Sequence, residues 1–143
     1  MGVFNLKFSK VPSEKLLDVK VELIEVLQKI DEYSGGKLWI HRLHSSGNPT
    51  SQHYHGRAAD GHIEGLSVID QYVLLERFNP GGLGLYGPDI WTSPGFHFDI
   101  REKFPTAKWG CVKEGGKREY VALDEEFFKR VIKLEEELNN GVD

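Results

Sequence analysis

Cysteine is nearly absent from this sequence, and long hydrophobic runs are missing altogether. Cys111 is the single cysteine among 143 residues, which excludes an internal disulfide and a zinc site built from several thiolates. No run of residues reaches the roughly 18 consecutive apolar positions that cross a bilayer, so we expect no membrane insertion. The N-terminal segment also lacks an apolar stretch of signal-peptide length, which predicts cytoplasmic synthesis without a signal peptide.

The chain also has no excess of basic residues. The 18 lysines and arginines are outnumbered by 22 aspartates and glutamates, for a net charge of −4, which argues against a nucleic-acid-binding domain. The length of 143 residues and the hydrophobic content of 39% are typical of one folded domain, here residues 1–143. What the chain does have is six histidines, so any bound metal would have nitrogen and oxygen ligands.

Hydrophobic periodicity predicts three helices separated by short strands. The expected helices, each with a capping residue at its start, are 13–30, 67–78 and 124–138. The expected strands are 37–44, 83–86, 96–101, a buried strand from residue 60 to 63, and a hairpin over 111–121. Together these elements predict a single α+β domain in which helices pack around a small, mainly antiparallel sheet.

The densest group of polar residues lies in the segment 51–60. His53 and Asp60 are both in this segment, and His97 lies on a predicted strand further along the chain. Two nitrogens and one oxygen form the kind of ligand set that catalytic zinc sites use, with a fourth position left for water. Gly56 permits a sharp turn between the first two residues. The alternative for the same three residues is a buried polar cluster that is satisfied by hydrogen bonds.

This pattern resembles the zinc D-alanyl-D-alanine carboxypeptidase family. The family motif Ser-x-His-x-x-Gly-x-Ala-x-Asp matches residues 51–60, and the strand histidine that follows it in the family matches His97. Relatives in that family include D,D-dipeptidases, phage endolysins that cut L-alanoyl-D-glutamate bonds, and the hedgehog signalling domain. The His-x-Asp-x-Arg sequence at 97–101, with a Lys-Trp pair after it, is most similar to the small bacterial and phage branch. The resemblance covers residues 38–109.

The resemblance implies a zinc ion bound by His53, Asp60 and His97, which activates water for attack on a peptide carbonyl. Many family members place the general base three residues before the last histidine, where this chain has Pro94. Asp99 is our candidate base, because a residue two positions after His97 on a strand points to the same face. Alternatively, Asp99 orients one of the histidine ligands.

Four other residues are candidates for roles at this site. Asp89 is a second candidate base. The resemblance implies an arginine that holds a carbonyl or carboxylate of the substrate, and Arg42 is its best match; the alternative is a structural salt bridge. Tyr86 ends a Gly-x-Gly-x-Tyr sequence that lines the cleft in the family, so we expect it to contact substrate. His55 is an alternative ligand, since it lies two residues after the first histidine.

The resemblance therefore predicts a zinc metallopeptidase that hydrolyses a peptide bond in peptidoglycan or a related cell-wall peptide, as a carboxypeptidase or an endopeptidase. We expect a monomer that binds no nucleic acid. Pro94 leaves two alternatives: a zinc-stabilised binding module without turnover, or a structural phage or prophage protein with a vestigial site. Because the substrate lies outside the cytoplasm, the missing signal peptide would be explained by release through a phage-type lysis system.

Overall fold

The computed structural model describes residues 6–9, 18–43, 48–103 and 105–140. Within these ranges the chain forms seven strands: β1 (Lys7–Phe8), β2 (Leu38–Arg42), β3 (Ala58–Ile63), β4 (Gly82–Tyr86), β5 (Gly95–Asp99), β6 (Ala107–Glu114) and β7 (Lys117–Val121). Three helices complete the described part of the chain: α1 (Val21–Tyr33), α2 (Val68–Glu76) and α3 (Glu125–Asn140). The structure is a single α+β domain, as the sequence predicts. In the described residues, no helix is both long enough and apolar enough to span a membrane.

The seven described strands form one mixed sheet in the order β1-β2-β3-β5-β4-β6-β7. Strands β1 and β2 are parallel, as are β4 and β6. The other four neighbouring pairs are antiparallel. The expected antiparallel pairing therefore holds for β2, β3, β5 and β4, which lie in the middle of the sheet.

The two faces of the sheet differ in composition because successive side chains of a strand point to opposite sides. On one face, apolar residues of the central strands join a single buried cluster with residues of all three helices. Members of that cluster include Leu23, Leu27, Ile30, Leu75, Leu83, Leu85, Phe96, Phe98, Phe127 and Val131. The opposite face of β3 and β5 carries Asp60 and His97, which are directly paired across the two strands. The core and the polar site are thus separated by the thickness of the sheet.

The predicted starts of the second and third helices are confirmed. The side chain of Ser67 accepts a hydrogen bond from the backbone N–H of Asp70 at 3.1 Å. The carboxylate of Asp124 accepts one from the backbone N–H of Phe127 at 3.0 Å. Each cap satisfies a backbone donor that has no partner within its own helix.

The first helix starts later than predicted, because the described residues 18–20 are not part of the α-helix. Residue 13 lies outside the described residues, but α1 begins only at Val21, after Lys20 in an extended conformation. The backbone N–H of Lys20 instead donates to the carbonyl oxygen of Gly56 at 2.9 Å. A long-range hydrogen bond thus ties this segment to the loop before β3, and the helical pattern of the sequence is overridden. The helix ends at Tyr33, three residues after the predicted end at residue 30, with Ser34 as its C-cap.

Gly110 in β6 allows α3 to lie close against the sheet. A Cβ atom added at Gly110 would lie 2.3 Å from Cε1 of Phe127, and Phe127 is buried in the core. The aromatic ring therefore rests on the backbone of β6, where any side chain would displace it.

We expect Gly110→Ala to lower the free energy of unfolding by about 1–3 kcal/mol, which is the usual cost of overpacking a core. In a Phe127→Leu background the same change should cost less, because the shorter side chain leaves room for the methyl group. Urea denaturation of the four proteins measures both costs. Equal costs in the two backgrounds would show that Phe127 does not pack against Gly110.

Candidate metal centre

His53, Asp60 and His97 come together in the structure, as the sequence predicts. One ligand atom from each residue can be chosen so that all three atoms lie within 4.8 Å of one another. The three residues are buried, with exposed fractions of 2%, 8% and 7% respectively. Residues far apart in the chain thus form a compact group of two imidazoles and a carboxylate that can hold a metal ion.

Backbone geometry explains how the three side chains meet. Asp60 on β3 and His97 on β5 are directly opposite in an antiparallel pair, which places their side chains next to each other on one face. His53 approaches from the turn before β3, where the N–H of Gly56 donates to the carbonyl oxygen of His53 at 3.0 Å. Gly56 has φ +68°, and a Cβ there would lie 2.0 Å from the carbonyl oxygen of Asp18. Only glycine fits this turn.

Each histidine has one ring nitrogen facing a group that accepts hydrogen bonds. His53 Nδ1 lies 2.8 Å from the carbonyl oxygen of Leu43, and His97 Nε2 lies 2.7 Å from Oδ2 of Asp99. A carbonyl oxygen and an ionised carboxylate only accept, so these two ring nitrogens must carry the protons. In the neutral rings, the lone pairs are therefore on His53 Nε2 and His97 Nδ1.

Those two lone pairs point at the same carboxylate oxygen. His53 Nε2 and His97 Nδ1 each lie 3.1 Å from Oδ1 of Asp60. Three electron-rich atoms this close repel one another unless positive charge lies between them, either as protons on the rings or as a bound cation. A metal ion can accept all three donors at once while both rings stay neutral, with their N–H groups still donating to Leu43 and Asp99.

The electrostatic surroundings keep the carboxylates ionised. Burial would raise the pKa of Asp60, but the hydrogen bonds to His53 and His97 outweigh burial and hold it far below its usual range. Burial would lower the pKa of His97, whereas the hydrogen bonds to Asp60 and Asp99 raise it. Both directions have one cause: the negative charges of Asp60 and Asp99 favour a positive charge between them.

Asp99 is held on both of its oxygens. Arg101 donates from Nε to Oδ1 at 2.8 Å and from a terminal nitrogen to Oδ2 at 2.5 Å, and His97 takes the remaining position on Oδ2. Burial would raise the pKa of Asp99, but the hydrogen bonds from His97 and Arg101 lower it to about 2. Of the two roles expected for Asp99, this geometry favours orienting His97 over acting as the general base.

A cleft of about 750 Å³ opens over Asp60 on the site-bearing face of the sheet. Arg42 lines this cleft, half exposed, with a terminal nitrogen 3.3 Å from Oδ2 of Asp60. Tyr86 also lines it and stacks on Trp91, with ring centroids 4.1 Å apart. Burial raises the pKa of Tyr86, so its hydroxyl stays protonated. The structure thus brings both expected substrate-contact residues to the cleft.

Two residues considered from the sequence do not reach the cluster. Oδ2 of Asp89 accepts a hydrogen bond from the backbone N–H of Lys113 at 3.1 Å and lies 3.5 Å from Arg130. His55 is exposed, and its Nε2 lies 2.8 Å from the carbonyl oxygen of Pro49. Among the described residues that line the cleft, Asp60 is the only acidic one.

Trp109 and Arg101 belong to the site although sequence reasoning assigned them no role. The ring of Trp109 lies 4.9 Å from the ring of His97. Gly82 and Gly84 of β4 leave room for the side chains of Asp99 and Trp109. A Cβ at Gly82 would lie 2.3 Å from Oδ2 of Asp99, and a Cβ at Gly84 would lie 2.3 Å from Nε1 of Trp109. In the sequence, the Gly-x-Gly spacing indicates that side chains of neighbouring strands lie over β4, since it leaves one face of that strand without side chains.

Comparison of this chain with protein-family models, with curated proteins and with solved structures found no match.

We expect Asp99→Asn to weaken zinc affinity by about 10–100-fold, the usual effect of losing the carboxylate that orients a histidine ligand. Competition with a chromophoric chelator measures the affinity, and thermal unfolding of the metal-free protein shows whether the fold is retained. Glu102→Gln is the matched control, because it removes one negative charge from an exposed neighbour. Unchanged affinity in folded Asp99→Asn would contradict the orienting role.

Proposed function

We propose that this protein is a zinc metallopeptidase that hydrolyses a peptide bond in peptidoglycan or a related cell-wall peptide. The proposal is carried by one observation: candidate ligand atoms of His53, Asp60 and His97 converge, and one of these residues, Asp60, lines an open cleft. Structural zinc sites are closed by four protein ligands, whereas catalytic sites use three and keep a position for water. The described residues provide three such ligands, and the cleft reaches the cluster at Asp60.

The donor set fits zinc. Two imidazole nitrogens and one carboxylate oxygen match the ligands of zinc peptidases, and buried histidines whose second ring nitrogen has a fixed partner are typical of metal-ligating imidazoles. When bound, such an ion lowers the pKa of a water molecule and polarises a carbonyl group. The protein's part is to hold the ligands rigid: Leu43 fixes the ring of His53, and Asp99 with Arg101 fixes the ring of His97.

The cleft supplies the contacts that a peptide substrate needs. Arg42 offers a half-exposed guanidinium beside Asp60, and the stacked rings of Tyr86 and Trp91 form an apolar wall. An arginine suits this position because its planar donors match a carbonyl or carboxylate group. The cell-wall substrate follows from the resemblance of residues 51–60 and His97 to peptidoglycan peptidases, and release by a phage-type lysis system belongs to the same proposal.

A second candidate function is a zinc-stabilised binding module without turnover. It is favoured by one specific observation: among the described cleft-lining residues there is no carboxylate other than the ligand Asp60. Pro94 occupies the position of the usual base, and its carbonyl oxygen only accepts a hydrogen bond from Gln71 at 3.1 Å. Both candidates require zinc, so catalysis is the property that separates them.

We expect the purified protein to contain stoichiometric zinc and His53→Ala to lose it, because one of three ligands is gone. His55→Ala is the matched control, since this exposed histidine lies outside the cluster. Elemental analysis after purification without added metal measures the zinc content. Full zinc in His53→Ala would overturn the assigned ligand set.

Hydrolysis is tested on purified peptidoglycan, with mass spectrometry of the released fragments. We expect new peptide termini with the wild-type protein, and their loss with His53→Ala or after chelation, since the reaction needs the metal. Activity should return when zinc is added back to the chelated wild type. A zinc-loaded wild type that releases no new termini would contradict the peptidase proposal and leave the binding module.

We expect Arg42→Gln to raise KM for a cleaved peptide by about tenfold or more, because a hydrogen bond to a charged group is lost. Zinc content should stay unchanged, since Arg42 contacts Oδ2 of Asp60 and the histidines face Oδ1. Arg57→Gln is the control, an exposed arginine outside the cleft. Loss of zinc with unchanged KM would instead make Arg42 a residue that positions Asp60.

A further inference from the structure

Arg118 is a second guanidinium on the same cleft, at a different place from Arg42. It belongs to β7, at one edge of the sheet, whereas Arg42 belongs to β2 near the other edge. The strands that carry Asp60 and His97 lie between them in the sheet order. The cleft therefore has an arginine on each side of the metal centre.

The strand register shows that Arg118 faces the cleft rather than the core. Tyr86 pairs with Cys111 across β4 and β6, and Cys111 pairs with Tyr120 across β6 and β7, so these three side chains form one row on the site-bearing face. Arg118 is two residues before Tyr120 on the same strand and points to the same side. Both Arg118 and Tyr120 line the cleft.

Arg118 has no anionic partner among the described residues. The two other arginines at the site are engaged: Arg42 by Asp60 and Arg101 by Asp99. No described ion pair includes Arg118, and its partner in the neighbouring strand is another cation, Lys113. Like charges placed directly opposite each other are destabilising, so this corner of the cleft is suited to an anion.

Tyr120 adds an apolar contact beside this charge. It is a large aromatic residue with 60% of its surface exposed, next to the stacked pair of Tyr86 and Trp91 on the cleft wall. A tyrosine exposed inside a cleft offers contact area at low entropic cost. The combination of an unpaired guanidinium and an exposed aromatic ring suits a peptide with a carboxylate better than a neutral one.

Strand spacing estimates how far this corner lies from the reacting bond. Three inter-strand steps separate β5, which carries His97, from β7. At about 4.8 Å a step this is roughly 14 Å, the length of about four residues of extended peptide. If an extended peptide crosses the strands with its cleaved bond at the metal centre, the group that reaches Arg118 lies about three or four residues from that bond.

We propose that Arg118, supported by Tyr120, is a specificity-determining residue that binds a free carboxylate of the substrate about three or four residues from the cleaved bond. This inference rests on the proposed peptidase function and names its substrate class: acidic peptides that lie across the sheet. Arg118 makes no contact with the ligands, so its effect is on substrate binding and not on zinc.

The test uses a cell-wall peptide that the wild-type protein cleaves, in two forms: one with the distal carboxylate free and one with it amidated. We expect amidation to lower kcat/KM of the wild type by about tenfold or more, mainly through KM. Arg118→Gln should lower kcat/KM for the free carboxylate by a similar factor and leave the amidated peptide unchanged. Lys117→Gln, the same charge change on the neighbouring residue outside the cleft, should behave like the wild type.

Failure of this inference is distinguishable from failure of the proposed function. Suppose that the wild type cleaves both forms. If it shows no preference for the free carboxylate, or if Arg118→Gln keeps that preference, then Arg118 does not select the substrate and the peptidase proposal stands. If the zinc-loaded wild type cleaves neither form, calorimetry with the same two peptides replaces kinetics. Tighter binding of the carboxylate form that disappears in Arg118→Gln would support the subsite, and equal binding of both forms would overturn it.

Discussion

The site depends on two ring nitrogens, one of His53 and one of His97, that each lie 3.1 Å from the same oxygen of Asp60. This arrangement exists only because Asp60 and His97 are register partners on β3 and β5. A shift of that register by one residue would turn Asp60 into the apolar core and Ala59 into the cleft. The same pairing therefore determines both the cluster of His53, Asp60 and His97 and the separation of the core from the polar face.

The polar network around the ligands is costly to bury, and it is nearly complete. Both ring N–H groups have acceptors, and Asp99 is held by His97 and by two side-chain nitrogens of Arg101. Buried networks of this kind stabilise one arrangement when every member is satisfied and destabilise the fold when one is missing. Gly82 and Gly84 of β4 have no side chains, and this leaves the space that Asp99 and Trp109 occupy.

The division of the sheet into two faces lets one small domain keep a hydrophobic core and a polar site apart. Helices cover one face and form the core, while the other face stays open as a cleft that reaches from β2 to β7. Arg42 and Arg118 belong to strands on either side of the two strands that carry Asp60 and His97. Among the described cleft residues, Asp60 is the only carboxylate.

The sequence by itself determined what is local: the α+β composition, the caps at Ser67 and Asp124, and the identity of the three residues that meet in the polar cluster, whose spacing forms a recognisable motif. Only the tertiary structure decided what depends on segments far apart in the chain. It delayed the start of α1 by bonding Lys20 to the loop before β3, and it directed Asp99 onto His97. The physical reason is that periodicity and capping act within a few residues, whereas strand register and packing join residues whose separation in sequence carries no signal.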